Sequence, residues 1–204
     1  MLRYIILELL SSRPLTGYEI SKRFKSSLIF VWGAHHTQIY SSLRRLEQEG
    51  LVTSRLQVQH GKPNKRIYEL TERGRKALLQ WLQTPPDFYS VKDEMLLKSF
   101  AFDLIPAEQA AGLLRGQAEA HRRKLEYCGG LKADLERKYG PIQDGHDRTL
   151  LCRVLPLEHL IRYETAYVEW CEWAADLVET APQNRRGHEG EGRASQIREE
   201  LDRL

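Results

Sequence analysis

The spacing of apolar residues changes abruptly near Gly50, and that change restricts the fold more than any other feature of the chain. Before it, Ile39, Leu43 and Leu46 stand at i, i+4 and i+7, so residues 36–49 predict a helix with one buried stripe. Gly50 suits the position just past a helix, where the backbone turns left-handed. After it, Val52, Ser54, Leu56 and Val58 alternate with Thr53, Arg55, Gln57 and Gln59, the period of a strand. Residues 60–64 (HGKPN) read as a turn, and residues 65–70 (KRIYEL) as the returning strand. A helix that runs straight into a hairpin with Lys62, Lys65 and Arg66 about its tip leaves few topologies open.

The flanking segments complete one of them. Leu2, Ile5, Ile6, Leu9 and Leu10 recur at helical spacing, and Pro14 closes the connection that follows. Thr16 and Glu19 have the spacing of a reciprocal cap, so a second helix is expected from Gly17, carrying Tyr18, Ile20 and Phe24. Thr71 caps another helix through Leu82. Helix, helix, helix, hairpin and helix within about eighty residues is the order of a winged helix-turn-helix. The expected fold class is mainly α: this N-terminal unit with a two-stranded wing, then an all-α C-terminal dimerisation domain.

Charge divides the same way. Residues 1–84 hold 14 Lys and Arg against 6 Asp and Glu, giving +8, while residues 85–204 hold 17 against 22, giving −5. The excess of cations in the first part points to a polyanion, double-stranded DNA. Between the apolar positions of the third helix stand hydrogen-bonding and cationic groups rather than acids, which is what a major-groove helix needs. Candidate DNA-binding residues are Tyr18 and Lys22 on the second helix, His36, Thr37, Gln38, Tyr40, Ser41, Arg44 and Arg45 on the third, and Lys62, Lys65 and Arg66 on the wing. Gln38 is the expected base reader, and the arginines and lysines the expected phosphate contacts. Tyr40 has two readings, a phosphate contact or a packing residue.

The C-terminal half reads as helices. Pro85 and Pro86 open a connector over residues 85–92, after which Asp93 can cap a helix with Met95, Leu96, Leu97, Phe100 and Leu104. A long helix is expected from Ala107 to about Tyr139, with a weak point or kink at Gly129-Gly130. Pro156 suits a first helical turn, so residues 148–155 are expected to form a separate short helix before the last one. That last helix, Leu157 to Val178, has an apolar stripe too broad for one neighbour, and Leu157, Leu160, Ile161, Tyr163, Tyr167, Trp170, Ala174 and Leu177 are expected to bury it against a second copy of the chain. Residues 93–180 are thus the dimerisation domain, and the glycine-rich, charged residues 181–204 a mobile tail. Trp32, Phe88, Tyr89, Phe100, Tyr163 and Trp170 are candidates for a pocket binding a small aromatic effector.

Three stretches of the first half, residues 14–20 (PLTGYEI), 38–52 (QIYSSLRRLEQEGLV) and 61–74 (GKPNKRIYELTERG), resemble the PadR-type transcription regulators in order and spacing. Residues 93–100 (DEMLLKSF) and 162–173 (RYETAYVEWCEW), set about a long middle helix, resemble the virulence-activator type of C-terminal region found in that family. The resemblance implies a recognition helix over residues 36–49, a wing tip at the glycine-basic turn, an intertwined dimer made by the C-terminal helices, and for some members a small phenolic effector. The expected function is a repressor that binds an inverted-repeat operator as a homodimer. A winged helix used only for protein contacts is the alternative.

Other classes find little support. Arg3, Glu8 and a following turn interrupt the apolar N-terminus, which is too short to span a bilayer and has no signal-cleavage pattern, so no membrane role and a cytoplasmic location are expected. Cys128, Cys152 and Cys171 are odd in number and widely spaced, and are read as reduced thiols without a metal or a disulfide. His35 and His36 have no third ligand nearby in sequence. With no phosphate loop, no metal-binding histidine pair at helical spacing and no nucleophile elbow, neither catalysis nor a cofactor is expected.

Overall fold

The computed structural model describes residues 1–24, 36–59, 61, 64–86, 92–142, 147–181 and 199–200. It divides into two units, Met1–Ser90 and Val91–Leu204.

The first unit runs α1 (Leu2–Ser12), β1 (Leu15–Thr16), α2 (Gly17–Arg23), α3 (His36–Gln48), β2 (Val52–Gln57), β3 (Lys65–Leu70) and α4 (Glu72–Gln83). Local caps set its joints. The Glu19 amide donates to Thr16 Oγ1 at 3.1 Å while the Thr16 amide donates to Glu19 Oε2 at 2.8 Å, so two of the orphan amides at this helix start are satisfied. These bonds, with Arg13 and Lys65 nearby, hold the Glu19 carboxyl below its ordinary range against the opposing effect of burial. Gly50 takes φ +68° and ends α3, and the Leu51 amide returns to the Leu46 carbonyl at 2.9 Å. Thr71 accepts from the Gly74 amide at 3.0 Å and donates to the Gly50 carbonyl at 2.8 Å, which ties the start of α4 to the end of α3.

The strands form an antiparallel sheet in the order β1-β3-β2, with Leu15 opposite Tyr68 and pairing from Val52–Leu70 to Gln57–Lys65. The wing is therefore three-stranded at its base, one strand more than expected, because β1 is too short to show any alternation. Ile6, Leu7, Leu10, Leu15, Ile20, Phe24, Ile39, Leu43, Leu46, Val52 and Tyr68 form one core. Tyr4 and Trp81 stack face to face at 4.5 Å, joining α1 to α4.

The second unit contains α5 (Glu94–Ser99), a 3-10 turn (Phe102–Leu104), α6 (Ala107–Tyr139) and α7 (Arg148–Thr180). Asp93 caps α5 by accepting from the Met95 and Leu96 amides at 2.8 and 3.2 Å. Helices α6 and α7 have 33 residues each, about 50 Å of helix. They pack antiparallel over Ala111, Leu114, Ala118, Tyr167, Cys171 and Ala175, whose small members let the backbones approach. Ion pairs Arg115–Glu179 at 2.5 Å, Arg122–Glu172 and Lys132–Glu158 at 3.0 Å mark that register.

One expectation for this unit fails. Helix α6 runs through Gly129-Gly130 as one element, as expected, but α7 is continuous from Arg148 through Pro156, with no separate helix over residues 148–155. Proline removes one ladder hydrogen bond, but Val154 is buried and Glu158 is held by Lys132, so packing on both sides of Pro156 outweighs that loss. All three cysteines are free, and burial pushes the Cys171 thiol up to about 11. Among the described residues no group of acidic, His and Cys side chains could hold a metal, and no helix is long and apolar enough to cross a membrane.

Candidate nucleic-acid interface

Helix α3 separates its faces cleanly. Ile39, Leu43 and Leu46 are buried, whereas His36, Thr37, Gln38, Ser41, Arg44 and Arg45 are exposed. The polar face is thus presented outward by the burial of the apolar one. Tyr18 and Lys22 are exposed on α2, and Lys65 and Arg66 on β3. Lys62 lies outside the described residues.

Tyr40 is half-buried and packs within the unit. A Cβ on Gly17 would stand 2.7 Å from Tyr40 Cε1, so the ring rests on the start of α2 and occupies the space a larger residue would need. Its other neighbour is His36, whose ring centroid is 4.5 Å away. Of the two readings for Tyr40, the packing one describes its ring.

Carboxylates that the sequence reading passed over tune the cations. Arg45 pairs with Glu49 at 3.0 Å, and Glu49 also receives Arg3 at 2.5 Å. Although burial opposes it, the hydrogen bonds and charge of these two guanidinium groups hold the Glu49 carboxyl below its ordinary range. Glu47 accepts from Ser54 Oγ at 2.5 Å and from Arg66 Nη1 at 3.4 Å, which fastens the wing to the last turn of α3. Arg44 has no ion-pair partner among the described residues. Glu47 and Glu49 carry no pattern of their own in the sequence; only the approach of β2, β3 and α1 to the end of α3 gives them a task.

In the second unit the candidate dimerisation stripe divides. Tyr167 is 8% exposed and belongs to the core of its own chain, where it stacks on His121 at 3.8 Å and donates its hydroxyl to Asp93 at 2.7 Å. Its assignment to a surface for a second copy is corrected on that ground. Trp170 meets Tyr167 edge-on at 5.6 Å, and Trp170 and Ala174 are half-buried against the same core. Leu157, Leu160 and Ile161 are half-buried, and Tyr163 and Leu177 exposed. Of the effector candidates, Phe100 is 84% exposed, while Trp32, Phe88 and Tyr89 lie outside the described residues, as does His35.

Two polar side chains unforeseen in the sequence, His121 and Glu164, are buried here. Glu164, 3% exposed, receives His121 Nδ1 on one oxygen and Lys124 Nζ on the other at 3.3 Å, and His121 Nε2 meets the Gln117 amide at 3.2 Å. Burial pushes the Asp93 carboxyl up, but the Tyr167 hydroxyl and the Leu96 and Met95 amides outweigh it and leave the group below its ordinary range.

Three helices, a three-stranded sheet and a closing helix, with a polar and cationic α3 running into a basic hairpin, define a winged helix-turn-helix protein. Residues 6–80 match the model of the Transcriptional regulator PadR-like family, and residues 91–179 that of the Virulence activator alpha C-term region. The chain is 33% identical over 185 residues to the negative transcriptional regulator PadR of Bacillus subtilis (strain 168), covering 88% of this chain and 98% of the relative. It superposes on the crystal structure of B. subtilis PadR in complex with operator DNA with TM-score 0.77, at 32% identity, over 87% of this chain and 98% of the other. The corresponding values for B. subtilis PadR in complex with p-coumaric acid are 0.72, 31%, 87% and 98%. The chain belongs to the PadR-like family of transcriptional regulators.

Proposed function

We propose that this regulator is a cytoplasmic repressor that binds an inverted-repeat operator as a homodimer and releases it when a small aromatic acid binds. The observation that carries the reading is the face of α3: Gln38, Ser41, Arg44 and Arg45 exposed opposite a buried Ile39, Leu43 and Leu46 stripe, beside the cations of β3. Gln38 reads a base edge, and Arg44, Arg45, Lys62, Lys65 and Arg66 hold phosphates, with Tyr18, Lys22, His36 and Thr37 at the edges of the contact. Arg45 is 77% exposed in its pair with Glu49, and exposed pairs are worth only about 0–1 kcal/mol, so a phosphate can displace the carboxylate. The similarity to a negative regulator seen on operator DNA supports repression, and the p-coumaric acid complex of the same relative supports an aromatic acid as effector.

On α7, Tyr163 and Leu177 are exposed and Leu157, Leu160 and Ile161 half-buried, and a second copy would bury the apolar surface they leave uncovered. Two-fold pairing sets recognition helices about one turn of DNA apart, roughly 34 Å. Tyr163, Trp170 and Phe100, with Trp32, Phe88 and Tyr89, remain the candidates for the effector site.

Fragments selected by the full chain from a random-sequence pool test this reading together. An inverted repeat, bound by a dimer in light scattering and released by p-coumaric acid with a change in Trp fluorescence, is the expected result. Binding without salt dependence would overturn it, because phosphate contacts necessarily release counterions.

A further inference from the structure

A groove of about 610 Å³ lies within the first unit, where α1, the end of α3 and α4 come together. On α4 it is lined by Arg73, Lys76, Ala77 and Gln80, whose i, i+3, i+4 and i+7 spacing is one face of a helix. Gln48, Glu49 and Leu51 line it from the end of α3 and the turn beyond, and Arg3 from α1.

Three cations meet one carboxylate here, and that carboxylate is already engaged. Glu49 receives Arg3 at 2.5 Å and Arg45 at 3.0 Å, which leaves it little attraction for the other two cations. The side chains of Arg73 and Lys76 are exposed and have no hydrogen-bond or ion-pair partner among the described residues, and the same holds for the side-chain amides of Gln48 and Gln80. A Cβ on Gly50 would stand 3.8 Å from Arg73 Nη1, so this guanidinium lies over the turn that carries Glu49 and Leu51. Arg3 Nε is buried without a hydrogen-bond partner, an unfavourable arrangement that a small turn of the guanidinium toward an acceptor in the groove would relieve.

The ligand chemistry follows from these groups. Residues three apart on a helix are neighbours, so Arg73 and Lys76 present two positive charges side by side, which suits a doubly charged phosphate monoester better than a singly charged carboxylate. Leu51 and Ala77 offer apolar surface to the body that carries the phosphate, and the two glutamine amides, each both donor and acceptor, suit a polar edge on it. The volume falls within the range of about 300–1,000 Å³ usual for small-molecule pockets. We propose that this groove binds a small organic phosphate of mononucleotide size, held by Arg73 and Lys76, at residues distinct from those considered above for an aromatic effector.

The groove is tied to the DNA face through one carboxylate. Arg3 and Arg45 share Glu49, so an anion that draws Arg3 into the groove leaves Glu49 to Arg45 alone and holds Arg45 back from a DNA phosphate. Occupancy therefore lowers affinity for the duplex, with Glu49 as the positioning residue, and the effect is reciprocal. This consequence rests on the DNA-binding reading above; the site itself does not.

Calorimetric titration of the full chain with adenosine 5′-monophosphate at fixed ionic strength tests the site. One molecule per chain should bind, with adenosine and inorganic phosphate each weaker by about tenfold or more. Arg73→Gln with Lys76→Gln should weaken binding roughly tenfold while leaving Tm and the salt dependence of duplex binding unchanged, and Gln80→Ala should weaken it less. Absence of binding would overturn the proposal, as would equal binding of adenosine or inorganic phosphate, or wild-type affinity in the double variant. A flatter salt slope in that variant would also overturn it, since Arg73 and Lys76 would then be holding DNA phosphates. On a duplex the chain has itself selected from a random pool, the saturating nucleotide should weaken binding about fivefold or more in the wild type but not in Glu49→Gln. The same weakening in Glu49→Gln would overturn the link through Arg45. Absence of salt-dependent duplex binding by the wild type would refute the DNA-binding reading and leave the calorimetry to decide the site.

Discussion

Replacing Gly17 by alanine should destabilise the first unit, although alanine is the better helix former. Gly17 opens α2 with ordinary helical geometry, so propensity by itself would favour alanine by up to about 1 kcal/mol. The new methyl, however, would stand 2.7, 2.9 and 3.0 Å from Cε1, Cζ and the hydroxyl oxygen of Tyr40. Carbon pairs are comfortable at about 3.5–4.0 Å, so the ring must retreat by roughly 1 Å, and His36 flanks it. Overpacking of this kind costs about 1–3 kcal/mol, which exceeds the gain in propensity and leaves a net loss of about 1 kcal/mol. Thermal unfolding followed by circular dichroism should show Tm lower by about 2–8 °C, the smaller figure if both units melt together. Because Tyr40 sits on the polar helix, affinity for duplex DNA should fall as well. The decisive comparison is a double-mutant cycle: with Tyr40→Ala the obstacle is gone, and Gly17→Ala should then stabilise the protein, giving a coupling of at least about 1 kcal/mol. An equal rise in Tm in both backgrounds would refute the steric argument.

Gly74→Ala should be more damaging than Gly17→Ala, because its Cβ would fall 2.0 Å from the Leu51 carbonyl oxygen, a backbone atom that cannot swing aside; equal Tm values for the two variants would contradict this. Glu164→Ala should cost about 1–3 kcal/mol in urea unfolding, since it leaves the buried His121 ring without its carboxylate while the half-exposed Lys124 turns to water, and an unchanged stability would show that the group is not coupled to folding. Acid should weaken both units. Glu19 and Asp93 have folded-state values below the ordinary 4.5 and 3.8, so their contributions are full above those values and vanish as pH falls through the lowered ones. Asp93→Asn should accordingly flatten the acid limb of a stability-against-pH curve, and an unchanged limb would speak against the Tyr167 and α5 bonds as its cause.

Much of this protein follows from residues close together in the chain. Thr16 with Glu19, Gly50, Thr71 and Asp93 each punctuate a helix through partners at most a few residues away, so sequence alone determines where α2, α4 and α5 begin and α3 ends. The same holds for the outward face of α3, because a stripe of Ile39, Leu43 and Leu46 dictates which side chains are left outside. What depends on distant partners was not legible. The strand β1 exists only because Leu15 and Thr16 meet β3 some fifty residues later. Pro156 looked like a boundary since its local effect is to break a ladder, and only packing along α6 carries the helix through it. That the Tyr40 ring packs on Gly17 was visible only once α2 was in place, and Tyr167 moved from an expected surface to a core because His121 and Asp93 come from other turns of the fold. Periodicity says that a face is apolar; which neighbour covers that face, or whether any does, is decided by the placement of whole elements, and Leu56 and Val58 are exposed because the hairpin extends past the last helix that could cover them.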